Sequence, residues 1–388
     1  MFLGLISLEK NEGKMNKQSE NPTSGNNTDT VLIVNPSSSS GSTGKNWDDF
    51  YLKIKGIFGE NPEVAFSKKS GDGTALAGEY LKKGFKKIIA IGGDGTINEV
   101  ANGFFTFNDD NEKAAIGAGI EGAAPDEGDY HHKNDDSNGN TITNIKEGPT
   151  LKQINPDAVF GIVPSGTRNV LAKSLNLPNG EVECCKHFVE SKPQRIDVIS
   201  ALVTKTSDEE TSMEVPRIFL NAAEMGVAAE IIDRSKKIKD KVKNRIISTI
   251  SSVVATLPTY ASNMCEISID DGRENFLTKM TMCVIANGKY LGGGFTAAPQ
   301  ASVSDGLLDI VVIKNSGSFK MLEEFISMKN GDYTSDDKDI LYKKAKKVSI
   351  KLKEKKKKRD VTVTIDGEPI GVLPATFQVH KHALNAKI

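Results

Sequence analysis

An α/β domain with a parallel sheet, followed by a β-rich C-terminal domain, is the fold class predicted by three features of this sequence. Short apolar runs alternate with helix-length segments between residues 30 and 175, the pattern of strands joined by crossover helices. Glycine-rich loops follow these strands, at the carboxyl edge where ligands bind such sheets. From Arg195 onward the texture changes to strands at short intervals.

The first strand is predicted at 30–34, a β-branched run that ends in Asn35-Pro36 and a serine–glycine loop. A helix over 46–58, a strand over 64–67, a helix over 72–83 and a strand over 87–91 follow. The sheet resumes at 158–163 and runs through Pro164-Ser165-Gly166-Thr167-Arg168-Asn169 into a helix ending near Leu175. In the second domain, strands are predicted at 196–203, 217–222, 265–270, 280–286, 308–313, 348–352 and 361–365. One long helix, 228–257, interrupts them, with Ile238, Val242, Ile246 and Ile250 on one stripe and five lysines elsewhere. The domain reading is a disordered tail over 1–29, a nucleotide-binding domain over 30–194 and a β-rich substrate domain over 195–388 whose last residues return to the first. Residues 107–155, dense in Asp, Asn, Gly and Glu, read as a surface insertion. His131-His132 beside Asp129 and Asp135 read there as solvated polar residues.

A chain of 388 residues with 38% hydrophobic and 26% charged side chains has the composition of a soluble two-domain protein. Its 50 basic and 51 acidic residues nearly cancel, so no global field points to nucleic acid. The four cysteines have neither metal-ligand spacing nor a disulfide framework, which favours a reducing cytoplasm. The apolar stretch 2–8 lacks the basic flank and core length of a signal peptide, and Met15 offers an alternative start. No segment approaches the roughly 18 apolar residues of a membrane span.

The most informative run is Ile88-Ile89-Ala90-Ile91-Gly92-Gly93-Asp94-Gly95-Thr96-Ile97-Asn98-Glu99. A buried strand breaks into a loop whose glycines let backbone amides approach a polyanion, and a helix start lies beside it. Thr96 and Glu99 have capping-box spacing. Asp94, among phosphate-binding backbone, suits a group that orients a cation or accepts a proton. The run from Asn35 to Lys45 fails as a Walker A loop, because Ser39 stands where its first glycine is needed and Asn46 follows Lys45. Gly166 and Thr167 offer an amide and a hydroxyl to a phosphate at a helix start. Asn287-Gly288-Lys289-Tyr290-Leu291-Gly292-Gly293-Gly294 and Ser304-Asp305-Gly306-Leu307-Leu308-Asp309 form a second glycine-rich block, and Asp366-Gly367-Glu368 reads as a turn. The basic segment 343–359 reads as a solvated strand pair, with attraction to anionic headgroups as the sharper alternative.

Together, and in this order from Val31 to Leu373, these segments resemble the diacylglycerol kinase catalytic-domain family: bacterial-type lipid kinases, related to sphingosine and ceramide kinases and remotely to NAD kinases. The resemblance implies an NAD kinase/diacylglycerol kinase-like fold and an ATP- and Mg²⁺-dependent kinase acting on a hydroxyl of a diacylglycerol-like or other long-chain lipid alcohol. It assigns nucleotide binding to Asn35, Pro36, Gly41, Ser67, Gly92, Gly93, Gly95, Thr96, Asn98, Glu99, Gly166 and Thr167. Glu368 and Asp94 become the catalytic carboxylates. Asp305, with the backbone of Ser302 and Leu307 and a network through Asp197, becomes a Mg²⁺ site. Val170 stands where many members have Asp, a change near the acceptor. The expected location is cytoplasmic, with peripheral contact at the inner membrane surface and a homodimer left open. The rival readings are an NAD kinase or other small-molecule kinase, and a non-catalytic nucleotide- or lipid-binding regulator.

Overall fold

The computed structural model describes residues 28–58, 61–108, 150–206, 212–227, 230–231, 256, 260–292, 294–315, 318–333, 338–353 and 360–388. The expectations for the N-terminal tail, for most of the insertion, for almost all of the 228–257 helix and for the end of the basic segment lie outside these residues.

Four parallel strands form the first sheet, in the order β2 (Glu63–Phe66), β1 (Thr30–Val34), β3 (Lys87–Gly92) and β6 (Val159–Pro164). Side chains alternate across it, and both sides are buried, as expected of a parallel sheet. Val31, Ile33, Ile88 and Ala90 face α3 (Asp72–Lys82) and α4 (Asp94–Asn102), where they meet Leu81, Ile97 and Val100. Leu32, Val34, Ile89 and Ile91 pack on the opposite side with Phe50 and Ile54 of α2 (Trp47–Ile54) and Cys184, Cys185 and Phe188 of α6 (Glu181–Glu190). All four cysteines are buried and free. α2 is shorter than the expected helix, and a kinked segment, α1 (Ser38–Lys45), precedes it. The ends of the insertion are tied together by β4 (Phe105–Asn108) and β5 (Thr150–Gln153), an antiparallel pair that the polar composition concealed.

After α5 (Val170–Ser174) and α6, the chain enters β7 (Gln194–Thr206), β8 (Ser212–Phe219) and β9 (Ala222–Gly226). The expected single strand at 217–222 is therefore two strands. The break falls at Leu220-Asn221, where Asn221 accepts from the Ser174 hydroxyl at 2.9 Å and donates to the Tyr290 carbonyl at 3.0 Å. Then come β10 (Asn263–Ile269), β11 (Glu274–Ala286), β12 (Leu308–Lys314), α7 (Ser318–Asn330), β13 (Ile340–Ala345), β14 (Lys347–Leu352), β15 (Thr362–Ile365) and β16 (Glu368–Ala386). The pairings β9–β15–β16–β14–β10–β11–β9 close a circuit around a core that includes Phe219, Ile267, Ile310, Val363 and Phe377. Helices α6 and α7 and strands β13 and β16 were not foreseen.

The two halves share one strand. β16 pairs with β14, β15 and β7 in the β-rich half, then lays Ala386 beside Phe160 of β6, parallel to the first sheet. Among the described residues no helix is long and apolar enough to cross a membrane.

Candidate active site

The glycine-containing loops that follow β1, β2, β3 and β6 lie at the carboxyl edge of the sheet, stitched to one another. Asn35 donates its side-chain amide to Thr96 Oγ1 at 2.9 Å, and its backbone N–H to the Ile91 carbonyl at 3.0 Å. Ser165 N–H donates to the Gly92 carbonyl at 2.8 Å, and Ser67 N–H to that of Val34 at 2.9 Å. Thr43 and Ser165 share a hydroxyl hydrogen bond of 2.7 Å, while Ser39 Oγ donates to the Ser165 carbonyl at 3.1 Å. Ser39, Ser40 and Gly41 are all left-handed, with φ of 51°, 60° and 85°. Such a turn costs the two serines on the order of 1 kcal/mol each, and its effect is to fold Ser38 toward Gly93, whose N–H donates to Ser38 Oγ at 3.3 Å.

Gly93 and Gly166 touch backbone to backbone. A methyl group built on Gly166 would meet Gly93 Cα at 2.4 Å. The two loops thus form one wall, from which the first-turn N–H groups of α4, without intrahelical acceptors, face outward. Residues of this kind fit a polyphosphate. Asn169, at φ 50°, clamps the second loop: its Oδ1 accepts from Gly166 N–H at 3.0 Å and its amide donates to the Pro164 and Gly166 carbonyls.

Two local expectations need correction. Thr96 and Glu99 do not form a capping box on α4. Glu99 instead reaches the start of the preceding helix, its Oε1 accepting from Gly71 N–H at 2.8 Å and its Oε2 from Gly73 N–H at 3.0 Å, so it caps α3. Thr96 is occupied by Asn35. The packing of α3 on α4 brings a foreign helix start closer to Glu99 than its own, which spacing along one chain cannot reveal.

Three carboxylates from both halves converge at this wall. Asp94 Oδ1 accepts from Leu171 N–H at 3.1 Å, anchoring the start of α5. Burial raises its pKa above the usual carboxylate range, against the lowering effect of the Leu171 and Val170 amides and Arg168. Asp366 and Gly367, at φ 49° and 82°, form the two-residue turn between β15 and β16. That turn brings Asp366 to Asn98, which donates to Asp366 Oδ2 at 2.9 Å, and to Ala222, whose N–H donates to Oδ1 at 3.1 Å. It also swings exposed Glu368 over the glycine loop: a methyl group on Gly95 would meet Glu368 Oε1 at 2.6 Å.

Glu224 is a further acidic residue of this region; the run Asn221-Ala222-Ala223-Glu224-Met225-Gly226 resembles the lipid-kinase segment that follows Asp197, but no chemical role attaches to Glu224 in the sequence alone. It pairs with Val284 and Thr364 and is buried. Burial pushes it up to about 7, with Arg168 pulling partly back. Asp366 also rises to about 7, chiefly by burial, opposed by the Ala222 amide and reinforced by the charge of Asp94. Exposed Arg168 lies against Gly292 and Gly367 at the same crevice.

Raised carboxyl values have a definite sign. The folded state holds protons that the unfolded chain has lost, so this contribution to stability is complete below about pH 4 and disappears as pH rises to about 7. Glu224→Gln should therefore melt roughly 3–6 °C above wild type at pH 8, and no higher at pH 4.5, in paired thermal scans. An equal gain at both pH values would show that ionisation is not the cause.

The residues expected to hold Mg²⁺ are otherwise engaged. Buried Asp197 accepts from Gly306 N–H at 2.6 Å and His382 N–H at 2.7 Å, which ties the loop before β12 to β16. Asp305 Oδ1 accepts from Leu307 N–H at 3.0 Å, and its Oδ2 lies 2.9 Å from Lys344 Nζ. Ser302 is partly buried in the same loop. A divalent ion does not fit Asp305 in this arrangement, because an ammonium already meets the outward oxygen.

Comparison with known proteins follows the same division. Residues 29–121 and 140–201 match the diacylglycerol kinase catalytic domain, the gap falling inside the insertion, and residues 222–387 match the YegS C-terminal NAD kinase beta sandwich-like domain. A diacylglycerol kinase of Bacillus subtilis is 24% identical over 319 residues, 81% of each chain. One of Staphylococcus saprophyticus is 23% identical over 349 residues, 89% of this chain and 90% of its own. The crystal structure of a diacylglycerol kinase from Bacillus anthracis superposes with a TM-score of 0.58 at 20% identity, covering 93% of this chain and 97% of that one. A second structure from that organism reaches 0.62 at 22% identity, covering 92% of this chain and 96% of that one. With a catalytic-domain match in its first half and a YegS-type match in its second, this chain is similar to the diacylglycerol kinases of that catalytic-domain family along most of its length.

Proposed function

We propose that the protein is an ATP-dependent lipid kinase that transfers the γ-phosphoryl group to a hydroxyl of a diacylglycerol-like or other long-chain lipid alcohol. One observation carries the reading: Glu368, from the β-rich half, lies directly over the glycine loop at Gly95 in the first. The family is one of kinases, which implies ATP, and we take the nucleotide to enter as its magnesium complex.

In this proposal the α4 amides and the loops at Asn35, Gly93 and Gly166 hold the phosphates, and Thr167 adds a hydroxyl. Ser38 withdraws from Gly93 as phosphate takes its place. Glu368 accepts the proton of the attacking alcohol, for which a carboxylate must come within about 3 Å of the hydroxyl. Asp94 fixes α5, and with it the Gly166 loop, while the amides stabilise the charge that spreads over the transferring group. The acceptor enters from the β-rich side, past Arg168.

Incubation with MgATP and either dispersed lipid alcohols or NAD, with ADP release and product masses recorded, tests the reaction. A phosphorylated lipid is expected; phosphorylated NAD without a lipid product would reject the proposal. Nucleotide binding has its own probe. Trp47 is the single tryptophan, lies two residues beyond the Ser38–Lys45 segment and packs on Tyr51 and Phe66 with centroids at 5.6 and 5.3 Å. Its emission should change saturably with ATP as that segment moves.

A further inference from the structure

We infer that Lys344 is a tethered cation that holds the Asp305 loop in the role a divalent metal ion would otherwise fill. Strand register delivers it. Asp309 on β12 and Lys344 on β13 are directly opposite in an antiparallel pair, so their side chains share a face of the sheet. From there the ammonium lies 2.9 Å from Asp305 Oδ2 and 3.3 Å from Asp309 Oδ2, and donates to the Gln300 carbonyl at 3.1 Å.

An ammonium has three donors, and three oxygens surround this one. Two belong to carboxylates and one to a main-chain carbonyl, the hard-oxygen set that suits a cation. The remaining carboxylate oxygens are occupied by neutral donors: Asp305 Oδ1 by Leu307 N–H, and Asp309 Oδ1 by the Tyr342 hydroxyl. Asp309 is fully buried, so a positive charge beside it is needed whenever it is ionised. A magnesium ion at its ordinary distance of about 2.1 Å from Asp305 Oδ2 would be crowded and repelled by the ammonium on that same oxygen. One lysine therefore joins the loop ahead of β12 to β12 and β13, and the loop holds its shape without metal.

Thermal melting without nucleotide or lipid tests this independently of the proposed reaction. Wild-type protein should melt at the same temperature in EDTA and in millimolar magnesium or calcium chloride. Lys344→Met should melt roughly 5–10 °C lower in EDTA and regain part of the loss with either metal, because the vacated carboxylates now accept an ion. Adding Asp305→Asn should abolish that recovery. Lys344→Arg, which keeps the charge, should remain indifferent to metal and serves if the methionine variant does not fold. Stabilisation of the wild type by magnesium, metal recovery in Lys344→Arg, or a Lys344→Met protein with unchanged melting would each overturn the inference. The first result would return the loop to a metal site built on Asp305, Ser302 and Leu307.

Discussion

Glu368→Gln should bind ATP with near wild-type affinity and transfer its γ-phosphoryl group to a lipid alcohol roughly 10²–10⁴ times more slowly. The substitution keeps the side chain's length, and removes its negative charge and with it the ability to take a proton. Glu368 is exposed and follows the Asp366-Gly367 turn directly, so the change leaves the core and the Asn98–Asp366 hydrogen bond intact. Trp47 emission measures binding and ADP release with lipid measures transfer, and the two should separate. A variant that turned over at wild-type rate would remove Glu368 from the chemistry. One that lost both properties together would place it in nucleotide binding instead.

Gly166→Ala should weaken ATP binding roughly ten- to a hundredfold and lower the melting temperature as well. The added methyl group would meet Gly93 Cα at 2.4 Å and Asn169 Oδ1 at 2.7 Å. The first obstacle is main chain and cannot rotate away, so the loops after β3 and β6 must part and the amides they carry must separate. Overpacking of this kind costs about 1–3 kcal/mol, and the loss of a preset amide arrangement falls on the nucleotide in addition. Gly56→Ala is the control, since nothing lies within 4 Å of its added methyl group. Equal ATP affinity in the two variants would show that the Gly93–Gly166 contact does not shape the nucleotide site.

The N-terminal sheet was legible because its central strands are apolar on both sides and glycine-containing loops follow them, which periodicity and turn chemistry both mark. Its boundaries agree with the sequence to within about a residue at Thr30–Val34, Glu63–Phe66 and Lys87–Gly92. β16 was not legible: Gly371, Pro374 and the polar run around His380 look like loop, and the strand exists because partners on both sides supply its hydrogen bonds. The same limit applies to side chains. Asp366-Gly367 announces a turn, and Glu368 follows from it, whereas Glu224 and Lys344 acquire their partners only when strands distant in sequence come into register.

The shared strand has a kinetic consequence. Until β16 arrives, the edge of β6 at Phe160 is open, the ordinary template for intermolecular pairing, and its eventual partner, Ala386, comes from far along the chain. A nascent first half also lacks Ile196, Ile218 and Leu384, which complete the core under α3 and α4, and high contact order makes closure slow. Chaperone protection during synthesis, or co-expression of the two halves, should matter more for soluble yield than any stabilising change inside either core.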